Sequence, residues 1–130
     1  MWALDTNTLI YFFKGEGRVA DQLLERAPQD ISIPTIVLFE LKVGIAKSSS
    51  PEKRSRQLAE LTSVVQVLPF HQREAQAAAE IRAAQESKGQ PIGPYDTLIA
   101  GTALAHGAIL VSRNIREFTR IEQLRVENWY

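Results

Sequence analysis

At 130 residues, with 45% apolar and 23% charged, the chain has the composition of one ordinary globular domain spanning 1–130, able to bury roughly two thirds of its unfolded surface. Fifteen Lys and Arg balance fifteen Asp and Glu, so a general basic field for nucleic acid is absent and any such binding needs a local patch. The lack of Cys excludes disulfides and zinc–thiolate sites, no apolar run approaches the roughly 18 residues of a membrane span, and the opening is a poor signal peptide, so the expectation is a cytoplasmic protein without membrane contact.

The opening stretch, Met1 to Phe13, reads as strand, acidic turn and helix start. Trp2, Ala3 and Leu4 are a short apolar run, Asp5, Thr6 and Asn7 interrupt it, and Leu9, Ile10, Phe12 and Phe13 resume at helical spacing. A carboxylate therefore stands where a buried strand ends, the place where ligands bind in open α/β sheets. Helix capping alone would also account for Asp5. Gly15 and Gly17 mark a turn, and Val19, Ala20, Leu23, Leu24 and Ala27 predict an amphipathic helix ending before Pro28. Ile31 to Ile33 alternate as a second strand closed by Pro34. Thr35 is the expected N-cap of a helix from Ile36 to about Lys47.

Glu40 is anomalous within that helix, because its neighbours three and four positions away are Ile36, Val37, Val43 and Gly44. Burying an unpaired carboxylate is costly, so either Glu40 has a cation partner or this face is more exposed than its composition suggests. After a polar break at Ser48 to Pro51, a charged helix runs from Glu52 to about Thr62 with Leu58 and Leu61 inward. Its Lys53, Arg54 and Arg56 form either a solvated face or outer contacts to RNA. Val64 to Leu68 predicts a third strand ended by Pro69, and the alanine-rich helix from Gln72 to Lys88 suits close packing against another helix. His71 and His106 both have structural explanations, at a helix start and at a helix end before Gly107.

Gly89 to Pro94 is a turn cluster, and Pro94 fits the first position of a helix, which puts Asp96 at the third. The helix dipole favours a carboxylate there by about 0.3–1 kcal/mol. The helix itself is small and apolar almost all round from Leu98 to Ala105, so it should be buried, with its polar start forming the wall of a cleft. Ala108 to Val111 reads as a central parallel strand ending in Ser112, Arg113 and Asn114, with Glu117 on the turn that follows. Leu124, Val126 and Trp129 suggest a short edge strand. Alternating strands and helices predict an α/β domain, a central parallel sheet with helices on both faces. The ends of the first and fourth strands then meet the helices of Glu40 and Asp96, and four acids without Cys or a well-placed His favour a hard cation, Mg²⁺ or Mn²⁺.

LDTN (Leu4 to Asn7), the mid-helix Glu40, IGPYDTLIAGTA (Ile92 to Ala103) and LVSRNIREF (Leu110 to Phe118) resemble the PIN-domain nucleases, specifically the VapC-type toxins of bacterial toxin–antitoxin pairs. The resemblance covers essentially the whole chain. It implies a small metal-dependent endoribonuclease, usually a homodimer, held inactive by a cognate VapB-type antitoxin and acting on RNA, with transfer RNA the expected target. It carries a metal-binding acidic site over to Asp5, Glu40 and Asp96. In the last motif Ser112 fits a hydroxyl position, Asn114 stands where many members have Asp, and Glu117 supplies the remaining acid, a departure that bears on any second metal position.

Phosphodiester hydrolysis needs a water made nucleophilic near neutral pH and neutralised charge on the phosphorane oxygens, both of which a carboxylate-held Mg²⁺ can supply. The expected roles are Asp5 and Asp96 as principal ligands, Glu40 binding the ion or orienting its water, and Glu117 completing the site. Thr6, Asn7, Ser112 and Asn114 would aim those ligands. Arg113, Arg116 and Arg120 are the nearer RNA contacts and Lys53 to Arg56 the outer ones. Products would carry 5′-phosphate and 3′-hydroxyl ends. Two other readings stand beside this one. In a haloacid-dehalogenase-like phosphatase Asp5 would be the nucleophile, with Asn7 in place of the second Asp; in a non-catalytic module the acidic cleft would dock a basic partner segment. Dinucleotide and P-loop readings fail for want of GxGxxG or a Gly-rich loop ending in Gly-Lys-Ser/Thr.

Overall fold

A computed structural model describes residues 1–130 and joins five strands in one parallel sheet. They are β1 (Trp2–Leu4), β2 (Ile31–Pro34), β3 (Gln66–Leu68), β4 (Ile109–Val111) and β5 (Val126–Glu127), lying side by side as β3-β2-β1-β4-β5. The helices are α1 (Thr6–Lys14), α2 (Val19–Leu24), α3 (Thr35–Ala46), α4 (Pro51–Thr62), α5 (Gln72–Ser87), α6 (Pro94–Ala105) and α7 (Ile115–Phe118). No helix is long and apolar enough to cross a membrane.

Successive strand residues point to opposite faces of a sheet, yet all of Ile31 to Pro34 are buried, as are Ala3 with Leu4 and Leu110 with Val111. Both faces are therefore covered, as expected for parallel strands. Ser32 is tolerated among them because its hydroxyl donates to the Trp2 carbonyl at 2.8 Å. The chain leaves β1 towards β2 and β3, then crosses back to β4 and β5. With right-handed crossovers, that reversal sends α1–α4 to one face and α5–α7 to the other. The topological switch point falls between β1 and β4, where Leu4 pairs with Val111. The Asp5 N–H continues the ladder to the Val111 carbonyl at 3.1 Å, so the acidic turn is fixed at the crevice where ligands bind in such sheets.

Helix α6 is buried through Thr97 and from Ile99 to Ala103, as its composition predicts. Its Gly101 meets α5 so closely that a Cβ there would lie 2.6 Å from the Ala78 Cβ and 2.7 Å from the Ala78 backbone. The alanines of α5 are thus the condition for two helices to approach backbone to backbone. Gly101→Ala is expected to destabilise the fold by about 1–3 kcal/mol, because neither backbone can yield cheaply. Urea unfolding measures the loss, and an unchanged midpoint would show that the helices separate freely.

Some local expectations are corrected. Thr35 does not cap α3, whose N-cap position is Pro34; the Thr35 hydroxyl donates instead to the Leu68 carbonyl at 2.6 Å and ties α3 to β3. Helix α2 ends at Leu24 rather than near Ala27. There the Arg26 guanidinium donates to the Gln22 carbonyl at 2.6 Å and lies between the Trp2 and Trp129 rings, 4.6 and 4.4 Å from their centroids. The edge strand is limited to Val126–Glu127, with Trp129 buried beyond it and its indole N–H on Glu127 at 3.0 Å. The two histidines are structural. Glu74, buried in α5, accepts the His71 backbone N–H at 2.8 Å and lies 2.7 Å from the His106 ring, which joins the start of α5 to the end of α6. The His71 N–H first, with His106 adding to it, holds the Glu74 carboxyl below the usual carboxylate range.

Candidate active site

Asp5 is 6% exposed and caps α1 by accepting the Thr8 backbone N–H at 2.9 Å. The Thr8 hydroxyl in turn donates to the Val111 carbonyl at 3.2 Å, so α1 is pinned to the end of β4 as well as β1. Burial pushes the Asp5 carboxyl up, and hydrogen bonds from Ser112 and Thr8 offset part of that. Ser112 is itself buried at the end of β4 and accepts the Asn114 N–H at 2.9 Å. This hydroxyl therefore links the two central strand ends.

Glu40 resolves its anomaly through exposure. Val43 and Gly44 on its face of α3 are exposed and Glu40 is half-buried, with no cation paired to it. Its carboxylate accepts the Thr6 hydroxyl at 2.6 Å, a charge-assisted bond that ties α3 to the first turn of α1. Pro94 stands at N1 of α6 and Asp96 follows in the first turn, as the sequence predicts. Glu117 accepts the Gly93 N–H at 3.0 Å on one oxygen and the Asn114 side-chain amide at 3.1 Å on the other. Gly93 lies between two of the acids: a Cβ there would be 3.8 Å from the Asp96 carboxylate and 3.9 Å from that of Glu117.

Asp96 reports on all four carboxylates at once. Its pKa is pushed up to about 6, first by burial and then by the negative charges of Glu117, Asp5 and Glu40. None of the four forms a salt bridge. They do not stand at the spacing of a closed cage of three or more ligands. The donor set is oxygen only and short of positive charge, which suits a hard divalent cation.

Of the polar neighbours expected to aim the acids, Thr6 touches Glu40, Ser112 touches Asp5 and Asn114 touches Glu117. Asn7 does not join them: it is exposed on α1 and makes no side-chain hydrogen bond to the acids. The sequence reading missed Thr8 and Gly93. The Asp-x-x-Thr spacing of Asp5 to Thr8 was the available signal for the first, whereas the second depends on a contact 24 residues away.

The expected RNA contacts are dispersed. Arg113 is exposed at the end of β4, but its guanidinium sits 3.7 Å from the Tyr130 ring centroid and 5.6 Å from that of Tyr11. A hydrogen bond with Tyr11 raises its pKa further. Arg120 donates to the Pro91 carbonyl at 3.3 Å, Arg116 is exposed, and Lys53 and Arg54 lie in the first turn of α4. A concavity of about 560 Å³ between α5 and the Pro91–Leu98 segment contains none of the four carboxylates.

Residues 3–124 match the model of the PIN domain. Over 126 residues the chain is 36% identical to the tRNA(fMet)-specific endonuclease VapC of Salmonella typhimurium, covering 97% of this chain and 96% of that one. The chain belongs to the VapC family of PIN-domain ribonucleases. Another VapC relative, ribonuclease VapC2 of Rickettsia felis, is 36% identical over 131 residues, with 99% of this chain and 98% of that protein covered. Solved neighbours have the same fold. The DNA-bound VapBC of Salmonella typhimurium aligns at a TM-score of 0.91 and 35% identity, and VapBC2 of Rickettsia felis bound to a promoter DNA fragment at 0.89 and 34%; each alignment covers 99% of this chain and 98% of the other. Membership sets aside the phosphatase and docking-module readings. PIN-domain ribonucleases are generally divalent-metal dependent.

Proposed function

We propose that this chain is a Mg²⁺- or Mn²⁺-dependent endoribonuclease toxin that hydrolyses RNA, with transfer RNA as its substrate, and is held inactive by a VapB-type antitoxin. The observation that carries the reading is the convergence of Asp5, Glu40, Asp96 and Glu117 on the switch point, close enough for the other three to raise the Asp96 pKa along with burial, and with no Lys or Arg paired to any of them. The relatives support the substrate and the partner: one is named a tRNA(fMet)-specific endonuclease, and others were solved as VapBC complexes. A homodimer is part of the proposal, favoured by the exposed Phe39–Tyr95 aromatic pair with Val43 beside it.

In this scheme Asp5 and Asp96 would be the principal ligands of the cation, Glu40 would bind it or orient its water, and Glu117 would complete the site. A divalent cation bound there would neutralise charge on the phosphate oxygens and make a water nucleophilic near neutral pH. The protein's share is alignment. Thr6 fixes the Glu40 carboxylate, Asn114 and the Gly93 N–H fix that of Glu117, and the Ser112 hydroxyl with the Thr8 N–H fixes that of Asp5. Asn114, where an Asp is common, adds a hydrogen-bond donor in place of a further charge, which favours one occupied metal position over two.

Thr6→Val keeps the shape of that residue and deletes its bond to Glu40, so kcat is expected to fall by about 10–100-fold with the fold intact. Steady-state cleavage kinetics measure this, and an unchanged kcat would remove Glu40 alignment from the account. The metal itself is tested by titrating Mn²⁺ and following the free-ion signal by electron paramagnetic resonance. Binding is expected above about pH 6 and to weaken below it, because the cation competes with the Asp96 proton. Affinity that is absent, or that ignores pH in this range, would contradict the proposed ligand set.

A further inference from the structure

An open groove of about 340 Å³ runs from Glu40 between α1, α3 and the Ser48–Ser50 turn to the start of α4. Its charged lining is Lys14, Arg54 and Glu40, and Ser49 and Ser50 add hydroxyls. The two cations come from separate elements, the last turn of α1 and the first turns of α4. Neither forms a salt bridge, with Glu40 or with any other acid. The Glu40 carboxylate is engaged by Thr6, and Arg54 makes a neutral contact to Gln57 at 2.9 Å.

We infer that this groove binds backbone phosphates of the RNA strand where it leaves the acidic site, with Lys14 and Arg54 as the phosphate contacts. The inference rests on the nuclease reading and extends it to the path of the substrate. A polyanion entering a cleft of four carboxylates is repelled by them, so productive binding needs cations just outside the reacting centre. Lys14 and Arg54 stand on a concave surface of apolar floor and serine rim that begins at one of those carboxylates, whereas Arg113 is stacked on Tyr130 and Arg120 is held by a carbonyl. Contacts to phosphate read charge and leave sequence unread, so these two residues act on substrate affinity and leave the choice of cut site to others.

The test is fluorescence anisotropy of labelled bulk transfer RNA with the full chain in EDTA, over a sodium chloride series, comparing wild type with the Lys14→Gln, Arg54→Gln double variant. The variant is expected to bind severalfold more weakly, and its slope of log affinity against log salt to be shallower by roughly 0.7–0.9 per lost contact. The charge-keeping pair Lys14→Arg, Arg54→Lys should restore both, and in cleavage with Mg²⁺ the glutamine pair should raise KM with kcat kept. Equal affinity and slope in wild type and variant overturn the inference, as does the absence of salt-dependent RNA binding by the wild type. Unchanged RNA binding with weakened binding of poly-glutamate would instead assign the groove to an acidic protein segment, and also overturns it. Failure of the nuclease reading appears separately, as wild-type protein that shows the groove-dependent binding but cuts no RNA with metal present.

Discussion

Asp96→Asn is expected to abolish RNA cleavage and, in the metal-free protein, to raise the melting temperature. Both effects come from one cause. The Asp96 carboxyl has a pKa of about 6 because burial and the charges of Glu117, Asp5 and Glu40 all disfavour its ionised form. A carboxyl whose folded pKa lies above its unfolded value binds more protons folded than unfolded, so stability falls as pH rises through that range. Above about pH 6 the wild type carries an unfavourable charge, and the amide removes it at nearly constant shape. Asp96 is only partly buried, so the gain is held to about 1 kcal/mol, a few degrees in melting temperature. Thermal unfolding in EDTA should show the variant ahead near pH 7.5, with the gap narrowing as pH falls through 6 and closing only below about pH 4, where the unfolded chain's carboxyl is protonated as well. Added Mn²⁺ should then stabilise the wild type more than the variant, which lacks one of the four proposed ligands. A variant less stable than wild type across that pH range would make Asp96 a structural residue.

Asp5→Asn should separate fold from chemistry still more sharply. Asn is as good a helix cap as Asp, so the bond from the Thr8 N–H at 2.9 Å has an acceptor in the variant and α1 should stay in place. What is lost is the negative charge of the proposed ligand on the strand end, which the Ser112 and Thr8 bonds hold in position. If the cation contributes about 4 kcal/mol of charge stabilisation in the transition state, cleavage should fall about 1,000-fold. Unfolding should move by less than about 1 kcal/mol. Asp5→Ala deletes the cap as well and should cost about 1 kcal/mol more in stability. If Asp5→Asn cuts RNA at the wild-type rate, Asp5 serves α1 and nothing else.

What could be read from the chain was local. Asp5 follows a three-residue apolar strand, and Asp96 follows a Pro at the first helical position, so their places at a strand end and a helix start were fixed by neighbours in sequence. The parallel order of the strands followed from alternating elements, and it put these two segments at the same switch point. Glu40 was legible only as a contradiction among apolar neighbours, which the structure resolves by exposing Val43 and Gly44. What stayed hidden were bonds between distant segments. Thr35 looks like a helix cap until Leu68 lies beside it, and Arg113 looks like a free cation until Tyr130 packs on it. The grip of Gly93 and Asn114 on Glu117 needs the α5–α6 turn to meet the start of α7, and no periodicity encodes that meeting.

The central claim is hydrolysis at an acidic metal site, and the most direct measurement is cleavage of a pool of transfer RNA by the purified protein with Mg²⁺ or Mn²⁺ and with EDTA, the product ends being identified. The account predicts site-specific cuts that need the metal, vanish with EDTA and in Asp5→Asn and Asp96→Asn, and leave 5′-phosphate and 3′-hydroxyl ends. Cleavage that persists in EDTA, or that leaves 2′,3′-cyclic phosphates, would mean that the RNA's own hydroxyl attacks and that these four carboxylates do some other work.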